Sequence, residues 1–364
     1  DKNCSRFLWN ALRNRFKTDL LLLGHKATPD RPLWTRHKPL AILAPQSARF
    51  PNPSSTPQFA PQERETFRSL ISRNQYDAVF SRFCTPWELC LQAAGESPDP
   101  RVIVDVDMLS SRLVALSWAR NPSLRRRWFL FEKWKLRRLE RTLFRKPWLF
   151  LFTNRTELEI ARAHAAPTHP GGVFATLPNT MPPAGQPHTV ARKPVILFFG
   201  SMDSAANIDG FEFLVDDVLP HLAPELKRHG VSIHVVGKNP PASFRERLTR
   251  ASGDRVTVVG GVDSIDKALA ESLFVLLPLR IASGTRTRIL EAAAQARAVV
   301  TTPLGAEGLD LDDHVLLGNT GEELARLCTR LLDSESEAET LGHRLREQAV
   351  GLYAQENVAE NLAR

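Results

Sequence analysis

The residues best suited to chemistry lie between Pro278 and Glu291, in Pro278-Leu279-Arg280-Ile281-Ala282-Ser283-Gly284-Thr285-Arg286-Thr287-Arg288-Ile289-Leu290-Glu291. Small residues lead into a helix start, where free backbone N–H groups and the helix dipole attract a phosphate. Arg280, Arg286 and Arg288 add neutralising charge. Glu291 follows Gly284 by seven residues, two helical turns on, and so shares its face. A carboxylate there can accept two hydrogen bonds from a cis-diol such as a ribose. It can equally pair with Arg288 and contact nothing else.

Two further loops carry the right residue types. Gly200-Ser201 follows an apolar run, and Lys238 follows Val235-Val236-Gly237. A lysine at a strand end can bind an anion, although most lysines are simply solvated. Asp105-Val-Asp107 ends another apolar run. With a period of two, both carboxylates sit on one face of an extended segment. The Gly-x-Gly-x-x-Gly and Gly-Lys-Ser/Thr phosphate loops are missing, which argues against a nicotinamide dehydrogenase or a P-loop nucleotidase.

These loops need elements to hold them. The C-terminal half alternates apolar strands (195–199, 232–236, 256–259, 273–277, 298–302) with helical patterns (209–229, from 241, from 264, from 285, 320–333, 335–350). Apolar strands without alternation, separated by helices, predict a parallel α/β sheet buried on both faces. The N-terminal half reads similarly. Helices are expected at 5–16, 62–74, 86–94, 122–146 and 155–165, and strands at 19–23, 39–44, 77–80, 101–105 and 148–153. A proline-rich stretch at 177–194 reads as a linker. In such sheets ligands bind beyond the C-terminal strand ends, so two domains facing across a cleft are expected. A helix almost at residue 1 implies that the first strand of the first domain lies upstream.

At ~150 residues per domain, 364 residues predict two or three domains. A chain 43% hydrophobic and 24% charged is neither wholly disordered nor fibrous. No apolar run is long enough to span a membrane, and no signal-peptide pattern opens the chain. Four scattered cysteines without a Cys-x-x-Cys pair predict buried thiols, a reducing compartment and no zinc site. The net charge of +8 is concentrated in residues 120–146, which hold 11 basic and 2 acidic residues. That window suits a membrane surface or a nucleic acid.

The C-terminal motifs together resemble the retaining nucleotide-sugar glycosyltransferases of family 4, which have the GT-B fold. They are residues 198–210 (Phe-Phe-Gly-Ser-Met-Asp-Ser-Ala-Ala-Asn-Ile-Asp-Gly), 236–241, 278–286, 289–294 (Ile-Leu-Glu-Ala-Ala-Ala) and 305–309 (Gly-Ala-Glu-Gly-Leu). Ile-Val-Asp105-Val-Asp107 and Leu-Pro-Asn179 extend the likeness into the first half. The resemblance implies an acceptor-binding domain over 1–183 and a donor-binding domain over 184–349, with a terminal helix near 350–364 returning to the first. It implies a hexosyltransferase-type enzyme with a nucleotide diphosphate-sugar co-substrate and neither metal nor other cofactor.

By the same resemblance, Glu291 matches the ribose-binding second Glu of the family's paired-Glu motif, and Ser283 replaces the first, which touches the donor sugar. Ser283 and Arg286 are thus placed at the reacting centre. Gly200, Ser201, Lys238, Val262, Arg280, Gly284, Thr285 and Glu291 fall on the donor side, and Asp105 and Asp107 on the acceptor side. The family's Arg/Lys pair after the first strand of the second domain is absent, leaving Lys238, Arg280 and Arg286 to take its place. Ser283 also keeps open a catalytically impaired scaffold that acts as a binding protein.

The basic helix 122–146 supplies the last expectation. Asn121 and Pro122 suit a helix start, and Pro147 a stop. Leu124, Trp128, Phe129, Phe131, Leu136, Leu139 and Leu143 fall on an arc expected to pack on the core. Leu130 and Trp134 instead lie among arginines, a pattern that suits a headgroup region. The partners implied are a nucleotide-sugar donor, a carbohydrate or lipid-linked acceptor and an anionic membrane surface, with no nucleic acid. A membrane-associated glycolipid or polysaccharide precursor is one candidate acceptor. The location implied is cytoplasmic, with the inner membrane face as a candidate surface.

Overall fold

The structure, a computed structural model, describes residues 21–23, 41–43, 45–46, 58–74, 76–82, 91, 101–120, 128–165, 171–183, 192–202, 204–238, 255–262, 264–284 and 286–363. The chain forms two compact units, Asp1–Pro178 and Asn179–Arg364. The expected helix 5–16, the helix 86–94 apart from residue 91, residues 121–127 at the start of the basic helix, the helix from 241, residues 184–191 of the expected linker and Thr285 lie outside the described residues.

The second unit is built on a six-stranded sheet of β9 (Val195–Phe199), β10 (Ser232–Val236), β11 (Val256–Gly260), β12 (Phe274–Leu277), β13 (Val299–Thr301) and β14 (Leu316–Leu317). Its order is β11-β10-β9-β12-β13-β14, and every pairing is parallel. The chain runs outward from β9 to β11, then returns to start again at β12. The switch point, where ligands bind in open α/β sheets, is therefore between β9 and β12.

Both strands there are buried along their whole length. Ile196 and Phe198 face one core, with Leu214, Leu222 and Leu226. Leu197 and Phe199 face the other, with Ile289, Leu290 and Leu345. This two-faced burial is why the strands read as unbroken apolar runs. The expected helix 209–229 starts earlier, as α5 (Ala205–Phe213), and passes through a π turn at Leu214–Val218 into α6 (Leu219–His229). Pro220 has no N–H to continue the regular ladder there. Short α7 (Asp266–Glu271) precedes β12, α8 (Thr287–Ala294) follows it, and α9 (Pro303–Ala306) follows β13. Then come α10 (Gly321–Asp333), α11 (Glu335–Tyr353) and α12 (Gln355–Ala363). The two terminal helices group with the second unit, and the Met181 amide donates to the Tyr353 carbonyl at 2.8 Å.

In the first unit, β1 (Leu21–Leu23) pairs in parallel with β2 (Ala41–Leu43), and β3 (Pro45–Gln46) antiparallel with β4 (Gln58–Phe59). A parallel sheet follows in the order β5 (Ala78–Arg82), β6 (Arg101–Val106), β7 (Leu149–Phe152), β8 (Val173–Thr176). Its helices are α1 (Pro61–Asn74), α2 (Ser110–Arg120), α3 (Trp128–Leu143) and α4 (Arg155–Ala165). Val102, Val104, Phe150 and Phe152 pack with Leu143, Phe144 and Leu158. Neither α2 nor β8 was expected.

Two buried carboxylates secure the start of α2. Glu157 accepts from the Leu109 amide at 2.9 Å and from Arg112 at 2.8 Å. Glu140 accepts from the Ser111 amide at 3.0 Å and its hydroxyl at 2.6 Å. Carboxylates complement the positive end of a helix.

The arc expected of α3 needs correction. Trp128 and Phe131 are exposed, while Glu132, Lys135 and Glu140 are buried with Leu136 and Leu143. Glu132 and Lys135 neutralise each other at 2.6 Å, and Glu140 turns inward to hold α2. The inner face is thus partly ionic, which displaces the aromatic rings outward.

Removing Glu157 takes away a buried charge paired with Arg112. Breaking such a pair costs about 3–5 kcal/mol. Glu157→Ala should lower the unfolding free energy in urea by that order. A loss below ~1 kcal/mol would contradict this account of α2.

Candidate functional site

The candidate site is the set of loops at the C-terminal ends of β9, β10, β11 and β12. They approach closely because side chains are absent where backbones meet. A Cβ on Gly237 would lie 2.0 Å from the Gly200 carbonyl oxygen. A Cβ on Gly200 would lie 2.8 Å from Arg288 Nη1 and from Asn207 Nδ2. Asn207 donates to the Ser201 carbonyl at 2.6 Å, and the Met202 amide donates to the Lys238 carbonyl at 3.1 Å. The β9 and β10 loops therefore act as one piece.

The loop after β12 turns at Gly284, which has φ of +76° and so adopts a left-handed conformation that favours glycine. Arg286 is buried, and its guanidinium donates to the carbonyls of Gly284 and Leu304, the latter through Nε at 3.2 Å and Nη2 at 3.1 Å. Glu307 lies 3.7 Å away. Arg288, in the first turn of α8, reaches the other way and donates to the Phe199 carbonyl at 2.9 Å. Burial pulls its pKa down to about 10. Arg280 forks onto Asp209 at 3.1 and 3.0 Å, lies 3.5 Å from Asp217 and stacks 4.2 Å above the Phe213 ring.

The guanidinium groups of Arg280 and Arg286 are therefore committed to this unit's own carboxylates and carbonyls. Whatever charge they lend a ligand, both groups brace this loop. Of the expected cations Lys238 is the exposed one, and among the described residues it forms no ion pair. Ser201 and Val262 are exposed and Ser283 half-buried.

Glu291 sits on α8, beyond the Gly284 turn. Among the described residues no hydrogen bond or ion pair within 4.0 Å occupies its carboxylate. Arg288, the partner offered by spacing, is turned to Phe199 instead. Burial pushes the Glu291 pKa up to about 7, opposed by the nearby charge of Arg288 and assisted by Asp266.

In the first unit, Arg82 on β5 pairs with Asp105 directly across the β5–β6 register and lies 3.8 Å from Asp107. Both carboxylates do share one face, and Arg82 sits between them. Burial raises the Asp105 pKa to about 6, against the pull of Arg82. Among the described residues no cluster of His, Cys, Asp and Glu could hold a metal ion.

Sequence reasoning missed Arg82, Asp209 and the bracing role of Arg288. Arg82 ends a strand, as Asp105 does, and that shared position was the available signal. Asp209 acts by holding the distant Arg280 and Arg288 by holding a backbone carbonyl, and neither leaves a spacing pattern.

Residues 193–334 match the sequence profile of the family described as Glycosyl transferases group 1. The fold is similar to sucrose-phosphate synthase from Thermosynechococcus elongatus, at TM-score 0.68 and 17% identity, over 94% of this chain and 87% of that one. It is similar to Anabaena HepE in complex with UDP and glucose, at TM-score 0.72 and 14% identity, over 100% and 94%. WaaG, a glycosyltransferase involved in lipopolysaccharide biosynthesis, gives 0.69 and 15%, over 99% and 95%. No curated protein sequence matches the chain. The fold is thus GT-B, and the second unit carries a glycosyltransferase group 1 domain.

The raised pKa of Glu291 makes stability depend on pH. From the usual 4.5 to about 7 the folded chain holds a proton that the unfolded chain releases. Stability from this group is present below that window and lost as pH rises through it. Asp105 adds a decline of the same sign, from its usual 3.8 to about 6. Glu291→Gln should flatten the fall of Tm with pH over the Glu291 window. A variant curve parallel to the wild type would contradict a half-buried carboxylate that binds a proton in this range.

Proposed function

We propose that this chain is a retaining glycosyltransferase of family 4 that moves a sugar from a nucleotide diphosphate-sugar to an acceptor hydroxyl. The observation that carries it is the Glu291 carboxylate, held without a hydrogen-bond partner among the described residues beside a helix start at the switch point. In a domain of this family that position suits the ribose diol. The diphosphate then meets the start of α8 around Gly284–Arg286 and the ammonium of Lys238, a compact point charge. Gly200, Ser201 and Val262 line the same loop ends. Ser283 offers the donor sugar a hydroxyl without charge. Arg280 and Arg286 contribute by fixing the loop that presents these groups.

The transfer needs no protein nucleophile. The bond from the anomeric carbon to the diphosphate oxygen breaks, and a bond to the acceptor oxygen forms on the same face. The acceptor proton passes to the departing diphosphate. The protein orients both partners and stabilises the leaving charge. The first unit, with Asp105 and Asp107, is assigned the acceptor. A lipid-linked glycan precursor at an anionic membrane surface on the cytoplasmic side is the acceptor class we favour, because the exposed face of α3 is basic and aromatic.

Glu291→Ala should weaken nucleoside diphosphate binding by about 1.5–3 kcal/mol, the worth of hydrogen bonds to a charged group. UDP is the first nucleotide to titrate. Unchanged affinity in calorimetry would remove Glu291 from the site. Product stereochemistry from proton NMR should show the donor's anomeric configuration, and inversion would contradict the mechanism. The serine at 283 favours one competing reading, a scaffold that binds without turnover. Tight nucleotide binding with no diphosphate release across a broad acceptor panel would establish it.

A further inference from the structure

We infer that Gly261 is a positioning residue, holding the stem of Lys238 so that its ammonium meets the diphosphate of the donor. The inference rests on the donor-site reading given above and deepens it.

β10 and β11 do not keep a simple register to their ends. Val235 pairs with Val258, but Val236 pairs with Gly260, so β11 carries one extra residue, Val259. Such a bulge bends its strand and re-aims the side chains beyond it. Gly260 sits at the bend with φ of +87°, a left-handed conformation that favours glycine. Its carbonyl accepts from the Gly237 amide at 2.9 Å. The chain after the bulge therefore runs against the loop after β10, and Gly261 comes to face Lys238. A Cβ on Gly261 would lie 2.8 Å from Lys238 Cγ and 3.6 Å from its Cα. Cγ is the near end of that side chain, so Lys238 would have to leave its rotamer to make room.

Lys238 is held from the β9 side as well. Its carbonyl accepts from the Met202 amide at 3.1 Å, and Gly237 before it lies against the Gly200 carbonyl. A lysine in open solvent samples many rotamers and loses that freedom when it binds. Here two loops fix the main chain and the first side-chain carbons, so less freedom is left to lose. The ammonium at the far end is exposed, and among the described residues it forms no ion pair. The neighbouring arginines are engaged within the unit: Arg280 on Asp209, Arg286 on the Leu304 carbonyl and Arg288 on that of Phe199. Lys238 is thus the cation at these loops that a diphosphate meets without first breaking such a contact.

Gly261 itself has no positive φ, so an alanine there brings no backbone strain and probes the contact with Lys238. Calorimetry with UDP, or with GDP or ADP where one of those binds instead, tests the inference. Ligand-observed NMR with the matching nucleoside is the control. Lys238→Met keeps the stem and removes the charge. It should weaken diphosphate binding about 10-fold or more and leave the nucleoside unchanged. Gly261→Ala should weaken the diphosphate about 2- to 12-fold, the worth of ordering one long side chain, and again spare the nucleoside. In the Lys238→Met background Gly261→Ala should change nothing further. Lys238→Ala, which removes Cγ, should restore any Tm that Gly261→Ala loses. Diphosphate affinity unchanged by Gly261→Ala, or an equal loss for the nucleoside, overturns the inference. So does the same loss in the Lys238→Met background, or a fall in Tm that Lys238→Ala does not restore. Glu291→Ala separates the two readings. If it weakens the nucleotide and Gly261→Ala does not, the donor site stands and the positioning role alone falls. If the wild-type chain binds none of the three nucleotides, both fall.

Discussion

The first turn of α8 is clamped between two loops by arginines that point in opposite directions. Arg286 holds the carbonyls of Gly284 and Leu304, and Arg288 holds that of Phe199. A guanidinium can satisfy several carbonyls at once because its donors form a rigid fork. Such loops carry carbonyls that no strand pairs, and a buried carbonyl without a donor is costly. The arginines therefore set where the helix begins relative to β9, and with it every group that the switch point presents.

That clamp explains two otherwise separate features. Gly200 and Gly237 bring their loops into backbone contact, and the Arg288 fork occupies the space that a side chain on Gly200 would need. Glu291 is left without Arg288 as a hydrogen-bond partner, although the helix places the two three residues apart. A carboxylate that burial has pushed up to about 7 is poised to gain from a ligand that supplies hydroxyl donors. The same economy of charge appears in the first unit. Arg82 stands between Asp105 and Asp107, and Glu140 and Glu157 turn inward to secure α2.

Much of this was legible in the sequence. Strands β9, β12 and β13 read as continuous apolar runs because both of their faces are buried, and α10 read from strong helical periodicity. Gly284 and Glu291 were singled out by their spacing from a helix start, and the structure puts Gly284 at the turn before α8 and Glu291 on that helix. Helix α2 was not, because its Leu113, Val114, Leu116 and Trp118 are all half-buried and show no clean stripe. The inner arc of α3 was misread because periodicity assumes that apolar residues go inside, and here Glu132, Lys135 and Glu140 do. The bracing contacts of Arg280 and Arg286 were not legible for a related reason. Sequence shows that an arginine is present, and only the fold shows that Asp209 or the Leu304 carbonyl has taken its charge.

A crystal structure with UDP bound is the most direct test of the central claim, that the loops around α8 form a nucleotide site. The account predicts the ribose diol within hydrogen-bond distance of Glu291 and the diphosphate at the Gly284–Arg286 turn, with Arg288 still on the Phe199 carbonyl. A nucleotide bound elsewhere, or at these loops with Glu291 turned away and Arg288 released onto the phosphates, would contradict it.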